Sequence, residues 1–368
     1  MDEPLSPRPS PLRCCGERFV RLIRQGDRTQ QVADVQARLR ALGFSVEDEA
    51  AWFGDSTRRA VRTFQQRRGI LVDGIVGPHT WSELVEASWR LGDRGLYLKH
   101  PPFRGDDVAL LQARLNALGF DSGREDGIFG EDTGLAVKAF QKDYGIAEDG
   151  IWGPRSHAAL AGLRVDRPGT TARLREELRR GGGADLHRAL VVLDPGHGGK
   201  DPGTRSTQGL VEADVSWDLA VRLADRLSGM GARIRFTRTE NESPDASERA
   251  RRANEVGADL FVSLHLNEHD ETTAEGASTY HFGTSDAGRA LAEAIQEELV
   301  ALGGRDCRSH ARSYTVLRET RMPAVLVEPV FLTNPDEAKR LEEPEFRSSI
   351  ADAVAVGVRR YYASGAPG

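Results

Sequence analysis

The sequence predicts a multidomain protein in which two small all-α modules of three helices each precede an α/β domain, whose mostly parallel sheet is flanked by helices. Two observations lead to this fold class. The first half of the chain contains an internal repeat whose apolar residues have helical spacing, and the second half contains short apolar runs typical of buried strands. The length of 368 residues also suits two or three domains of ordinary size.

The internal repeat organises the first half of the chain. Residues 36–44 return almost unchanged as residues 112–120, a shift of 112 − 36 = 76 positions. The same shift relates two Asp-Gly-Ile-x-Gly-Pro blocks, which begin at Asp73 and Asp149. Repetition of this kind indicates two copies of one structural unit.

We place the two copies at residues 25–90 and 104–163. Apolar residues recur at i, i+4 and i+7 and so share one helix face in each copy: Val35, Leu39 and Leu42 in the first, and Leu111, Leu115 and Leu118 in the second. Gly43 and Gly119 follow these helices and can end them in a left-handed conformation. A second helix and a third, shorter one complete each module, and we interpret the apolar residues as its core.

The segments outside the repeats differ in composition. Residues 1–24 begin with several prolines and are predicted to be disordered. Residues 164–188 are predicted to be a linker that contains one helix, and its sequence includes an arginine-rich run at 173–180 and three glycines after it. The α/β domain then occupies residues 189–363.

Three apolar runs in the α/β domain predict buried parallel strands, at residues 189–193, 260–264 and 324–327. Each run is followed closely by a residue with a chemically useful side chain, namely His197, His265 and Glu328. Functional sites of open α/β sheets form outside the carboxyl ends of the strands. We therefore expect these three side chains to lie at one edge of the sheet.

Glu212 is a fourth candidate site residue. It opens an amphipathic stretch with Val215, Leu219 and Leu223 on one face, which places it on the first turn of a helix after the His197 loop. Two imidazoles and one carboxylate are the protein ligands of a catalytic zinc ion that keeps its fourth position for water. Because the sequence contains no local pair of ligands at helical spacing, the alternative that these histidines are ordinary hydrogen-bonded residues stays open.

Residues 190–362 resemble the zinc-dependent N-acetylmuramoyl-L-alanine amidases of the Amidase_3 type. The resemblance is carried by the segments 192–203, 209–212, 237–238, 248–254, 258–267, 316–328 and 331–334. It implies that His197, Glu212 and His265 bind Zn²⁺ and that Glu328 is the catalytic carboxylate. One departure is Val330, which stands where the family usually has glycine, and we expect its side chain to narrow the floor of the site.

Both repeats resemble the peptidoglycan-binding domain 1 family through their Leu-Gln-x-x-Leu-x-x-Leu-Gly-Phe and Asp-Gly-Ile-x-Gly-Pro blocks. Together the resemblances imply an amidase that hydrolyses the lactyl–L-alanine amide of peptidoglycan or muropeptides. The alternative is a non-catalytic cytoplasmic protein that binds muropeptides or precursors and regulates cell-wall synthesis. The implied partners are peptidoglycan or muropeptides, and cell-wall synthesis proteins under the second reading.

Charge and hydropathy exclude other classes of partner. The net charge of −6 and a pI near 5.9 do not predict nucleic-acid binding. No apolar run of signal-peptide or membrane-spanning length occurs near the N-terminus, so the sequence predicts a cytoplasmic protein, with leaderless export to the cell wall as the alternative. The adjacent Cys14 and Cys15 predict neither a lipid anchor nor a disulfide framework.

Overall fold

The structure is a computed structural model that describes residues 22–161, 163 and 186–364. The predicted disorder of residues 1–24 and the predicted linker at 164–188 lie almost entirely outside these residues and stay predictions. The described chain separates into two compact units. One contains residues 22–66 and 71–85, and the other contains the second repeat together with the α/β domain.

The first repeat contains three helices, α1 (Gln30–Ala41), α2 (Asp55–Arg68) and α3 (Pro78–Ala87). Helix α1 begins after Thr29, whose hydroxyl accepts a hydrogen bond from the Val32 amide, and it ends just before Gly43, whose φ is +84°. The predicted apolar face is buried, since Val35 and Leu39 are fully inaccessible to solvent. The three-helix prediction is therefore confirmed for this copy.

The second repeat has the same three helices, α4 (Asp106–Ala117), α5 (Glu131–Asp143) and α6 (Pro154–Ala161). Its core combines leucines from α4 and α6 with aromatic rings, as shown by Leu111, Phe140 and Trp152. The rings of Phe140 and Trp152 lie 5.5 Å apart between centroids. A core of this size gives a module of about 60 residues only a modest margin of stability.

The α/β domain is built on a six-stranded sheet. Its strands are β1 (Leu190–Pro195), β2 (Arg233–Phe236), β3 (Leu260–Leu264), β4 (Ala277–His281), β5 (Asp306–Ala311) and β6 (Ala324–Glu328). The spatial order is β2-β1-β3-β6-β4-β5, and every neighbouring pair is parallel except β4 with β6. The predicted mostly parallel sheet is thus confirmed.

Helices flank the sheet and complete the core. They are α7 (Glu212–Gly229), α8 (Ala246–Glu255), α9 (Asp286–Val300), α10 (Thr315–Glu319), α11 (Pro335–Glu342) and α12 (Pro344–Ser364). Every residue of β1 and β3 is buried, which explains why these strands appear in the sequence as continuous apolar runs. Among the described residues, none of the helices combines the length and apolarity that a membrane span requires.

Candidate metal centre and active site

Three of the predicted site residues form a cluster at the carboxyl end of the sheet. His197, Glu212 and His265 each offer a ligand atom, and these atoms lie within 4.8 Å of one another. Nε2 of His197 is 3.1 Å from Oε2 of Glu212, and Nδ1 of His265 is 3.0 Å from Oε1 of the same carboxylate. The structure therefore brings together two imidazoles and one carboxylate from three distant segments.

Elements of the sheet explain this convergence. His197 lies in the loop after β1, His265 directly follows β3, and Glu212 is the first residue of α7. Strands β1 and β3 are parallel neighbours, so their carboxyl ends meet at the same edge. The position of Glu212 on the first helical turn agrees with the prediction from its amphipathic stretch.

Glycines allow the backbone to approach these side chains closely. A Cβ atom at Gly196 would lie 2.4 Å from Cε1 of His265, and one at Gly203 would lie 2.7 Å from Oε2 of Glu212. Both distances are shorter than real side chains tolerate. The glycines of the Asp-Pro-Gly-His segment and of the following turn are therefore required by the packing of the ligand cluster.

Further hydrogen bonds fix the orientation of the cluster. The backbone amides of Leu266 and Thr204 donate to Oε1 and Oε2 of Glu212, each at 3.0 Å. Nδ1 of His197 lies 2.9 Å from Oδ2 of Asp201, which leaves its Nε2 directed to the cluster. A carboxylate behind a histidine fixes the tautomer and the ring plane of a metal ligand. Asp201 is not among the residues predicted from the sequence, although it stands only four positions after His197.

A buried ion pair holds the loop that carries His197. Asp194 is inaccessible to solvent, and Nη1 of Arg249 donates to its Oδ1 at 2.9 Å. Arg249 also donates to the backbone oxygens of Pro195 and His197, at 2.7 and 2.6 Å. Burial alone would raise the pKa of Asp194, but the charge of Arg249 and the hydrogen bonds from Thr237 and Ser263 lower it.

The charges of the cluster are strongly coupled. Burial tends to raise the pKa of Glu212, yet the hydrogen bonds and charges of the two histidines outweigh it and lower that pKa far below the usual range. Burial tends to lower the pKa of His197, but Glu212 and Asp201 raise it. The carboxylate is therefore ionised at neutral pH and offers a negatively charged oxygen beside two imidazole nitrogens.

Glu328 is the last residue of β6 and lies beside the cluster. Its pKa is raised to about 7, chiefly by burial, with the charges of Glu212 and Glu268 adding to the effect. The hydroxyl of Tyr280 donates to Oε2 of Glu328 at 3.0 Å and lowers this pKa in part. Tyr280, from β4, is a site residue that the sequence does not predict.

Comparison with known proteins identifies the family. The family described as N-acetylmuramoyl-L-alanine amidase, Amidase_3, matches residues 191–360, and the putative peptidoglycan binding domain matches residues 28–84 and 104–160. The N-acetylmuramoyl-L-alanine amidase CwlM of Mycobacterium tuberculosis is 42% identical over 97% of this chain and 92% of its own length. The chain belongs to the N-acetylmuramoyl-L-alanine amidase family. The order of two modules before the amidase domain predicts this likeness to the actinobacterial CwlM-type protein, and the comparison confirms it.

Two further similar proteins each match just under half of the chain. The N-acetylmuramoyl-L-alanine amidase LytC of Bacillus subtilis is 35% identical over 47% of this chain and 35% of its own length. A crystal structure of an N-acetylmuramoyl-L-alanine amidase from Clostridium difficile 630 is 33% identical and covers 48% of this chain and 98% of its own, with a TM-score of 0.47.

The side chains of the amidase cluster suit zinc. Two imidazole nitrogens and one carboxylate oxygen are a donor set of catalytic zinc sites, and these ligand atoms lie close enough together for one ion to contact all three. Val330 differs from the family pattern but is only 3% exposed, and its side chain belongs to the apolar core of the amidase domain. The side chain of Val330 therefore packs in this core, and the narrowing of the floor of the site stays a prediction.

Proposed function

We propose that the protein is a zinc-dependent amidase that hydrolyses the amide between the lactyl group of N-acetylmuramic acid and L-alanine in peptidoglycan or muropeptides. One observation carries the proposal. The ligand atoms of His197, Glu212 and His265 meet at the carboxyl edge of the sheet, beside a carboxyl group with a pKa of about 7 at Glu328. Within one site, the cluster therefore offers a place for a metal ion and Glu328 offers a general base.

The three clustered residues would hold the ion, and Glu328 would move the proton. A zinc ion held there would act as a Lewis acid, which polarises the amide carbonyl and lowers the pKa of the water bound to it. Glu328 takes the proton of the attacking water and then passes it to the nitrogen of the leaving amine. An amine leaves poorly unless it is protonated, so one carboxyl group that first accepts and then donates a proton serves both steps. A pKa near 7 suits this exchange at neutral pH.

Metal removal tests the proposal directly. Purified protein incubated with muropeptides should release peptides with a free L-alanine amino terminus, which mass spectrometry detects. We expect a chelator to abolish this release and added Zn²⁺ to restore it, because the donor set suits zinc. Circular dichroism of the treated protein serves as the control for folding. Cleavage that survives complete metal removal would refute zinc dependence, and a zinc-loaded protein without cleavage would support the regulatory alternative.

Tyr280 provides a second, pH-dependent prediction. Its hydrogen bond lowers the pKa of Glu328, so Tyr280→Phe should raise that pKa further. A base with a higher pKa is ionised only at higher pH, and the acidic limb of the kcat/KM profile should therefore shift upward. We expect about a tenfold loss of kcat/KM at pH 6 and a smaller loss at pH 8.5.

Tyr314 offers the matched control for this prediction. Its ring lies 5.4 Å from that of Tyr280 between centroids and packs edge to face against it. Tyr314→Phe keeps the packing of this ring and should not shift the acidic limb of the kcat/KM profile. An equal loss at every pH in Tyr280→Phe would contradict the assigned hydrogen bond and indicate a packing role instead.

The repeats give a prediction of their own. Each has a complete helical core, so residues 1–165 should fold alone and carry the affinity for peptidoglycan. Helical circular dichroism and sedimentation with purified cell walls measure the two parts of this prediction. Failure to fold would show that the domain boundary is misplaced, whereas folding without sedimentation would make the repeats partner-binding or structural modules.

A further inference from the structure

Arginines from both sides join the second repeat to the amidase domain, within one compact unit. Nε of Arg318, from α10, donates to the backbone oxygen of Asp126 at 2.6 Å. In return, Arg124 of the repeat donates to the backbone oxygen of Thr320. Arg318 is only 8% exposed, and its charge is compensated by Glu86, whose Oε2 lies 2.8 Å from Nη2 of Arg318.

A second contact lies beside the first. Nη2 of Arg104, from the repeat, forms an ion pair of 2.7 Å with Oε1 of Glu319, and the Glu319 side chain is 12% exposed. The guanidinium of Arg124 also lies 5.1 Å from the ring centroid of Phe282. Both domains therefore contribute charged groups that are matched and largely shielded from solvent.

We propose that the face formed by residue 104 and residues 121–128 of the second repeat is a docking surface for the amidase domain. Its partner is the segment 315–323 of the same chain. Docking holds this segment in place directly before β6, whose last residue is Glu328. The link to Glu328 rests on the proposed amidase function, whereas the docking itself does not.

The two repeats differ at the docking positions. Arg124, Asp126 and Gly127 stand where the first repeat has Asp48, Ala50 and Ala51. In the first repeat the residue equivalent to Arg104 is Arg28, which lies over the ring of Trp52 at 4.3 Å and pairs with Glu49. In the second repeat isoleucine replaces that tryptophan, and Arg104 pairs instead with the amidase domain. The two copies therefore differ at positions where the second repeat contacts the amidase domain.

Gly127 shows how closely the surfaces approach. A Cβ atom there would lie 3.0 Å from Nη2 of Arg318 and 2.9 Å from the backbone oxygen of Gly105. The backbone conformation does not by itself require glycine, because Ala51 adopts nearly the same φ of 65°, compared with 72° at Gly127. The Gly105 oxygen belongs to the same repeat, and Nη2 of Arg318 is the contact across the docking surface, so contacts on both sides explain the absence of a side chain here.

The docked segment also contacts the amidase domain. Asn254 of α8 donates to the backbone oxygen of Glu319 and accepts from the amide of Arg321, each at 2.8 Å. Tyr314, which precedes α10, packs against Tyr280, the phenol that donates to Glu328. Fixing α10 from the repeat therefore restrains both the strand that presents Glu328 and the side chain that orients it.

Polar contacts carry the docking. A cavity of about 780 Å³ borders it and is lined by charged residues from both sides, among them Lys99, Asp126, Glu248 and Arg321. A cavity of this volume with charged groups in its lining has room for water, so the two surfaces are not closely packed along this part of the contact. The arginine pairs are the part of the contact that a charge swap can break and restore.

The test is a charge swap in the full chain. Arg104→Glu and Glu319→Arg should each speed hydrogen exchange of the amides in residues 315–323 by about fivefold or more, because each leaves like charges facing across the contact. The double variant re-forms the pair in reverse and should return exchange to within about twofold of the parent. Arg155→Glu, at an exposed position of the same repeat, is the matched control and should change nothing.

Unchanged exchange in both single variants would overturn the proposal, as would a double variant whose exchange is as fast as that of the worse single one. If reversal prevents folding, Arg104→Gln and Glu319→Gln replace it. The double glutamine variant should then lose no more protection than either single one, and fully additive losses would count against docking. Exchange is measured without substrate, so a failure here is distinct from a failure of the amidase function.

Discussion

Replacing Glu328 with glutamine should leave zinc and fold intact but slow the release of L-alanine peptides at least ~10²-fold. Glutamine keeps the size of the side chain and can still receive the hydrogen bond from Tyr280, but it cannot take a proton from water. The loss should appear in kcat at saturating muropeptide, since the residue is assigned to proton transfer and not to substrate binding.

Two measurements make this prediction specific to the base. Zinc per chain by elemental analysis should equal that of the parent, and the circular dichroism spectrum should be unchanged. The neighbouring acid Glu268 gives a matched control, since it is exposed and receives a hydrogen bond from Thr204 at 2.6 Å. Glu268→Gln should keep most of the activity, and unchanged cleavage in Glu328→Gln would mean that another group is the base.

Replacing His265 with alanine should release the metal. The parent should hold about one zinc per chain and the variant less than about a tenth of that, because a three-ligand site that loses one imidazole no longer encloses the ion. Hydrolysis should fall to the level of the chelated parent. The double variant His197→Ala, His265→Ala leaves only Glu212 of the three ligands and should bind no zinc under the same conditions.

His269 provides the control for histidine removal as such. It is exposed, lies four positions after His265 and has no part in the cluster. His269→Ala should keep both zinc and activity. Stoichiometric zinc that persists in the double variant would show that the ion binds elsewhere.

The strand-end residues could be predicted because their signal is local. An uninterrupted apolar run identifies each buried strand, and His197, His265 and Glu328 stand within two residues of a strand end. Parallel pairing then brings them to one edge without any knowledge of the strand order. The helical modules were predictable for the same reason, since the spacing of their leucines is visible within a dozen residues.

The partners of these residues could not be predicted in the same way. Tyr280 reaches Glu328 only because β4 runs antiparallel to β6, and the two residues are 48 positions apart. Arg249 meets Asp194 across 55 positions. Such contacts depend on which strands and helices become neighbours, and periodicity does not contain that information. Asp201 is the exception, since a carboxylate four residues from a predicted histidine ligand could have been proposed as its hydrogen-bond partner.

The sequence patterns also did not predict the proposed docking role of the second repeat. Helix spacing and the shared Asp-Gly-Ile-x-Gly-Pro block describe both copies equally well. The positions that distinguish them, Arg124, Asp126 and Gly127, lie in a loop without periodicity. Their importance becomes visible only when the segment facing them, residues 315–323, is known.

Because the sheet is mixed, the residue that hydrogen-bonds to Glu328 and the histidines of the cluster come from different strands. Evolution can therefore change one without changing the other. Strand β6 lies between parallel β3, whose end is followed by a candidate ligand, and antiparallel β4, which supplies Tyr280. Under the proposed mechanism, substitutions in β4 would therefore change the pKa of Glu328 without changing the candidate metal ligands. Homologues adapted to compartments of different acidity should accordingly vary at position 280 and its surroundings more than at His197 or His265.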